Sequence, residues 1–130
     1  MIENNDNKLI SRLVSTFGYK RFAPQFWLLV DPDKIKESNL HLLSKAAQSL
    51  GVDAILVGSS ILLRSPVEDV VRIFKANSEI PIILFPGGKT QLCSLADAML
   101  FLTFLSSRNP RWLIEEQVLA ASDVKSLGIP

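Results

Sequence analysis

The chain has 130 residues, 48% of them hydrophobic, with 14 Lys plus Arg against 13 Asp plus Glu and a net charge of +1. A near-neutral balance excludes an electrostatic platform for nucleic acid, and no apolar run reaches the ~18 residues that a membrane span needs. A single cysteine, Cys93, and a single histidine, His41, exclude an intrachain disulfide, a cysteine cluster and a multi-histidine metal site.

The length suits one domain, residues 1–130, able to bury roughly two-thirds of its unfolded surface. Residues 1–7 are polar and read as frayed. Met1 to Lys8 contains no apolar signal-peptide core, so a cytoplasmic protein is expected. Ile10, Leu13, Val14 and Phe17 fall on one helical face, which Gly18 ends. Tyr19 to Pro24 is a connector.

Gln25 to Val30 is the first expected strand. Its run Phe26-Trp27-Leu28-Leu29-Val30 is short, apolar and not alternating, which suits a strand buried on both faces. Pro32 ends it, because proline has no N–H for the ladder. Asp31, Asp33 and Lys34 therefore gather where a buried strand emerges.

Leu40, Leu43, Ala47 and Leu50 mark a second amphipathic helix, closed by Gly51. Asp53 to Val57 is the second strand, and it ends in Gly58-Ser59-Ser60. Ser65-Pro66-Val67-Glu68 is a capping box with proline at the first helical position, followed by a buried face of Val67, Val70, Val71 and Phe74. Ile80 to Phe85 is the third strand, followed by Pro86-Gly87-Gly88. Asp97 to Leu105 is a fourth, ending in Ser106-Ser107-Arg108-Asn109. Asn109-Pro110 opens a last helix with Ile114, Val118 and Ala121 inward, and Val124 to Pro130 leads towards another strand.

Strands alternating with helices imply parallel pairing and right-handed crossovers. Gly87 to Ala96 is an anomaly, since it is too short for the dozen or more residues of an ordinary helical crossover. All four strands end in small or polar clusters, which would share one end of a parallel sheet. That end is the active face of a (β/α) barrel, although a full barrel takes ~250 residues. The expectation is an α/β fold, a half (β/α) barrel of about four parallel strands with a missing or degenerate third helix.

Four motifs carry a further reading: Leu29-Val30-Asp31-Pro32-Asp33-Lys34, Ala54-Ile55-Leu56-Val57-Gly58-Ser59-Ser60, Pro81-Ile82-Ile83-Leu84-Phe85-Pro86-Gly87, and Phe101 to Pro110. They occur in this order in the geranylgeranylglyceryl phosphate synthase family, which includes the related heptaprenylglyceryl phosphate synthases. From about Ile10 onward the chain resembles the N-terminal half of that family.

The resemblance implies a modified (β/α)₈ barrel that departs from the standard at its third helix. It implies transfer of a polyprenyl group from its diphosphate to the C3 hydroxyl of sn-glycerol 1-phosphate, a step in ether lipid synthesis that needs Mg²⁺. Asp31 matches the family's magnesium-binding aspartate, and Ser60 matches the Ser or Thr of the second magnesium position. Ser59 stands where the family more often has glycine. Lys34, Pro86 and Gly87 are candidate substrate-binding residues, and Phe85, Phe101 and Phe104 candidate walls for a prenyl tail. The family's glycerol phosphate loops and its proposed general base belong to the second half of the barrel. No catalytic residue is therefore assigned, and this polypeptide is expected to be inactive as a fragment.

Each site residue also has a plainer reading. Asp31 and Asp33 can be a turn with a helix cap, the Gly-Ser-Ser and Pro-Gly-Gly clusters simple turns, and Lys34 and Arg108 solvated charges. A competing role for the whole chain is a non-catalytic half-barrel whose exposed edges are covered by self-association or by a partner chain. A sugar-phosphate isomerase or epimerase would need an acid–base pair at the strand ends, and Asp31 has no evident second group.

Overall fold

The computed structural model describes residues 11, 14, 15, 24–63 and 66–130. Of the expected first helix, Ser11, Val14 and Ser15 are described and are helical. Its other apolar positions, Gly18 and most of the connector lie outside the described residues, as does Ser65 of the capping box.

Four strands, β1 (Trp27–Val30), β2 (Ala54–Val57), β3 (Ile82–Leu84) and β4 (Ala98–Met99), form one sheet. The order is β1-β2-β3-β4 and every pairing is parallel. Helix α1 (Glu37–Ser49) joins β1 to β2, and α2 (Val67–Asn77) joins β2 to β3. Between β3 and β4 a single 3-10 turn, Lys89–Gln91, replaces a helix. A π-helical turn, Arg111–Glu115, leads into α3 (Glu116–Leu127). This is the half-barrel arrangement expected from the alternation, including the missing third helix.

One sheet face carries the main core. Val30, Ile55, Val57, Ile82 and Leu84 pack against Leu40 and Ala47 of α1 and Val67, Val70, Val71 and Phe74 of α2. The valine and phenylalanine face of α2 is thus buried as its spacing predicts, each large side chain contributing roughly 1.5–3 kcal/mol. Pro66 is the N-cap of α2 rather than its first residue, and its side chain makes no cap bond. Leu50 is exposed, because α1 ends there and Gly51 turns the chain away at φ +72°.

The opposite face is only partly covered. Ala54, Ile83 and Ala98 are buried there beneath Trp27, Leu56 and Leu100, and among the described residues no helix joins that cluster. Leu29 is 52% exposed, so β1 is not buried on both faces as its composition suggested. An apolar run of this length can fill a barrel interior, but among the described residues nothing closes over it.

Two further expectations are corrected. The fourth strand has two residues rather than nine, since a strand persists only where a neighbour takes its hydrogen bonds. Leu100 N–H donates to Leu84 O, after which Phe104 N–H turns to Trp112 O and the chain leaves the sheet. In the last helix Ile114, in the π turn, and Val118 and Ala121, on α3, are exposed, and Ala120 is buried instead. The wide turn at Arg111–Glu115 rotates the following helix away from the register that a regular helix from Pro110 would have. Val124 to Pro130 forms no strand: α3 runs to Leu127, Gly128 adopts the left-handed conformation, and Pro130 O accepts from Met99 N–H at the edge of β4.

Candidate functional site

All strands being parallel, their carboxyl ends share one rim. At the end of β1, Asp31 caps the 3-10 turn Pro32–Lys34, its Oδ1 accepting from Asp33 N–H at 3.0 Å. The plainer reading of Asp31 is therefore realised. Its other oxygen faces the rim: Oδ2 lies 3.1 Å from Ser59 Oγ, whose single proton it shares with Ile61 O at 3.0 Å, and 3.2 Å from Lys34 Nζ. The Asp31 side chain is only 17% exposed, whereas that of Lys34 is 82% exposed, so the lysine can swing away while the carboxylate stays. Asp33 points elsewhere, and its Oδ2 accepts from Leu63 N–H at 2.6 Å to hold the loop after β2.

The β2 and β3 loops are pressed together. A Cβ on Gly58 would lie 1.9 Å from Phe85 O, and one on Gly87 would lie 2.3 Å from Ser59 O and 2.5 Å from Ser60 O. Only glycine permits that approach. Gln91, 3% exposed, closes the contact from the 3-10 turn. Its Oε1 accepts from Ser59 N–H at 2.9 Å and its Nε2 donates to Ser59 O at 2.7 Å.

Beside this rim opens a cavity of about 320 Å³. Phe85, Leu92, Phe101, Leu102, Phe104 and Trp112 supply apolar walls, and Ser60, Pro86 and Gly87 also line it. Helix α3 turns a polar edge towards it through Glu116 and Gln117. Glu116 Oε1 accepts from Arg111 Nε at 2.8 Å, and the Arg111 guanidinium lies 4.9 Å from the Trp112 ring centre. Gln117 Nε2 donates to Leu102 O, holding the strand-leaving segment on the helix. Its Oε1 is buried without a hydrogen-bond partner among the described residues.

The structure thus brings Asp31 and Lys34 to the same rim as Ser60, Pro86 and Gly87, of which only the last three line the cavity. It places Ser59, rather than Ser60, in hydrogen-bond contact with Asp31, while Ser60 is exposed on the cavity wall. Cys93 is buried and apart from the cavity lining, and His41 pairs with Asn77 on the helix side. Gln91, Glu116 and Gln117 escape a sequence reading. A glutamine in a short link and two polar residues opening a helix look like solvated surface, and no periodicity marks them.

Asp31 and the Ser59 hydroxyl beside it offer hard oxygens only, with the Ser60 hydroxyl on the adjoining cavity wall. No group of three His, Cys, Asp or Glu gathers among the described residues. That set fits a cation such as Mg²⁺, which keeps several waters and takes one or two carboxylates together with substrate phosphate. Among the described residues no helix is long and apolar enough to cross a membrane.

The sequence profile of the PcrB family matches residues 20–129. Geranylgeranylglyceryl phosphate synthase of Flavobacterium johnsoniae is 45% identical over 103 residues, covering 78% of this chain and 42% of that protein. The Chitinophaga pinensis protein of the same name is 38% identical over 112 residues, covering 86% of this chain and 43% of its own length. The crystal structure of (S)-3-O-geranylgeranylglyceryl phosphate synthase from Thermoplasma acidophilum, in complex with substrate sn-glycerol-1-phosphate, superposes with a TM-score of 0.79 at 25% identity. That match covers 90% of this chain and 48% of the other. The chain therefore spans less than half the length of the relatives it matches.

Proposed function

We propose, from the premise that this chain belongs to the PcrB family, that it carries the prenyl diphosphate side of a prenyltransferase. The acceptor of that enzyme is sn-glycerol 1-phosphate, and its product an ether lipid precursor. The observation that carries this reading is the adjacency of two chemistries. An apolar, aromatic-walled cavity of about 320 Å³ opens beside a rim holding one well-anchored carboxylate, hydroxyls and a movable lysine.

The polyprenyl tail enters the cavity between Phe85, Phe101 and Trp112, and the diphosphate rests at the rim. Asp31, with Ser59 and Ser60 beside it, would hold Mg²⁺ there, which when bound supplies positive charge against the departing diphosphate. Lys34 leaves Asp31 and pairs with a diphosphate oxygen. The aromatic walls exclude water and offer π faces to the allylic carbon as its bond to the diphosphate oxygen breaks. The glycerol C3 oxygen then bonds to that carbon and gives up its proton to a group that these residues do not supply. We propose accordingly that the chain binds the donor substrate and does not turn it over alone.

The test is a titration with geranylgeranyl diphosphate, followed by the emission of Trp112, with and without Mg²⁺. Saturable quenching that is strengthened by Mg²⁺ and lost in Trp112→Phe supports the reading. A flat titration overturns it, and appreciable product formation with sn-glycerol 1-phosphate removes the clause on turnover.

A second reading, a half-barrel that is held by self-association, is favoured by one observation. Leu29 lies 52% exposed in mid-strand on the face that no helix covers among the described residues, an apolar surface that a second copy would bury.

A further inference from the structure

We propose that Gln91 is the positioning residue of the diphosphate end of this site, a role that rests on the donor-binding reading above. The link from β3 to β4 has no room for a crossover helix, and its single 3-10 turn ends on Gln91. The side chain is almost fully buried, so leaving its amide unpaired would be costly. Both amide groups are spent on one residue, taking the N–H and the C=O of Ser59 at 2.9 and 2.7 Å. This clamp fixes the peptide planes on either side of Ser59. With them it fixes the Ser59 hydroxyl between Asp31 Oδ2 and Ile61 O and the placement of Ser60 beside the cavity.

Gln91 itself is not among the residues that line the cavity. Its effect on a ligand passes through Ser59. The missing third helix thereby acquires a use, since a full crossover would carry the chain away from the β2 loop instead of returning a side chain to it. Gly87 belongs to the same device, because its lack of a side chain lets the β3 loop lie on the Ser59 and Ser60 carbonyls.

The test measures Mg²⁺-dependent binding of inorganic pyrophosphate by calorimetry on the 130-residue chain. Three proteins are compared: wild type, Gln91→Met and Lys75→Met. Methionine keeps the volume and removes both hydrogen bonds. Lys75→Met loosens the opposite end of the sheet, where Lys75 Nζ meets both oxygens of Asp97, and so controls for general destabilisation. Gln91→Met is expected to weaken binding about tenfold, the loss of roughly one ordered polar contact, and to shift the Ser59 amide resonance. Lys75→Met is expected to stay within about twofold of wild type.

Equal affinity of wild type and Gln91→Met, or equal weakening in both variants, overturns the role of Gln91 and leaves the donor-binding reading in place. Failure of the wild type to bind Mg²⁺ and pyrophosphate overturns that reading and the inference with it. Should Gln91→Met fail to fold, Gln91→Asn serves instead. It is one methylene shorter, and its amide cannot reach both groups of Ser59.

Discussion

Asp53 and Asp97 make the same two-way clasp at two places in the sheet. Asp53 lies opposite Phe26 and Asp97 opposite Ile82. Each donates its N–H to the opposite carbonyl at 2.8 Å, and each carboxylate accepts the opposite N–H at 2.8 Å. Each is followed by an alanine that starts a strand. Both clasps stand at the amino ends of the strands, away from the rim that holds Asp31. In folds of this type that end serves stability and the carboxyl end serves chemistry.

Asp97→Ala removes the acceptor for Ile82 N–H and the partner of Lys75, and is expected to cost about 1–3 kcal/mol in urea unfolding. Asp53→Ala, acting at an exposed site, is expected to cost about 1 kcal/mol. Pyrophosphate affinity should be unchanged in both.

Glycine replacements separate close approach from conformational freedom. Gly58→Ala and Gly87→Ala drive a Cβ into backbone carbonyls and are expected to destabilise by about 2–4 kcal/mol or to prevent folding. Gly88→Ala meets only the flexible end of Glu116, at 3.0 Å, and its backbone is extended, so a change within about 0.5 kcal/mol is expected. Thermal unfolding of the three variants checks the order.

Asp31→Asn keeps an oxygen to cap Asp33 N–H, so the 3-10 turn and the circular dichroism spectrum should persist. Losing the charge should lower Mg²⁺-dependent pyrophosphate affinity by at least about tenfold. Undiminished affinity would move the cation away from this carboxylate. Ser59→Ala and Ser60→Ala, compared in the same titration, show which hydroxyl faces the ligand.

Association is read by sedimentation at micromolar concentration. If the uncovered face seats a second copy, the wild type sediments as a dimer and Leu29→Lys as a monomer. A wild-type monomer removes the self-association reading.

Local pattern along the chain was enough for the strand order, the parallel sense, the buried face of α2 and the gathering of Asp31, Lys34, Ser60, Pro86 and Gly87 at one rim. These follow from local pattern: apolar runs with a breaker behind them, a helical repeat, and alternation that permits one handedness of crossover. The shortness of the β3–β4 link was equally legible, because chain length alone bars a full helix there.

The rest came from contacts between distant parts of the fold. The π turn at Arg111–Glu115 chose which side of α3 is buried, so that Val118 faces outward and Glu116 and Gln117 reach the cavity. The lack of a ladder partner beyond Leu100 cut the fourth strand short. Ser59 reaches Asp31 across 28 positions, and Gln91 reaches Ser59 across 32. No periodicity encodes bonds between residues so far apart, since a short polar residue looks the same in a sequence whether it meets water or a distant strand end.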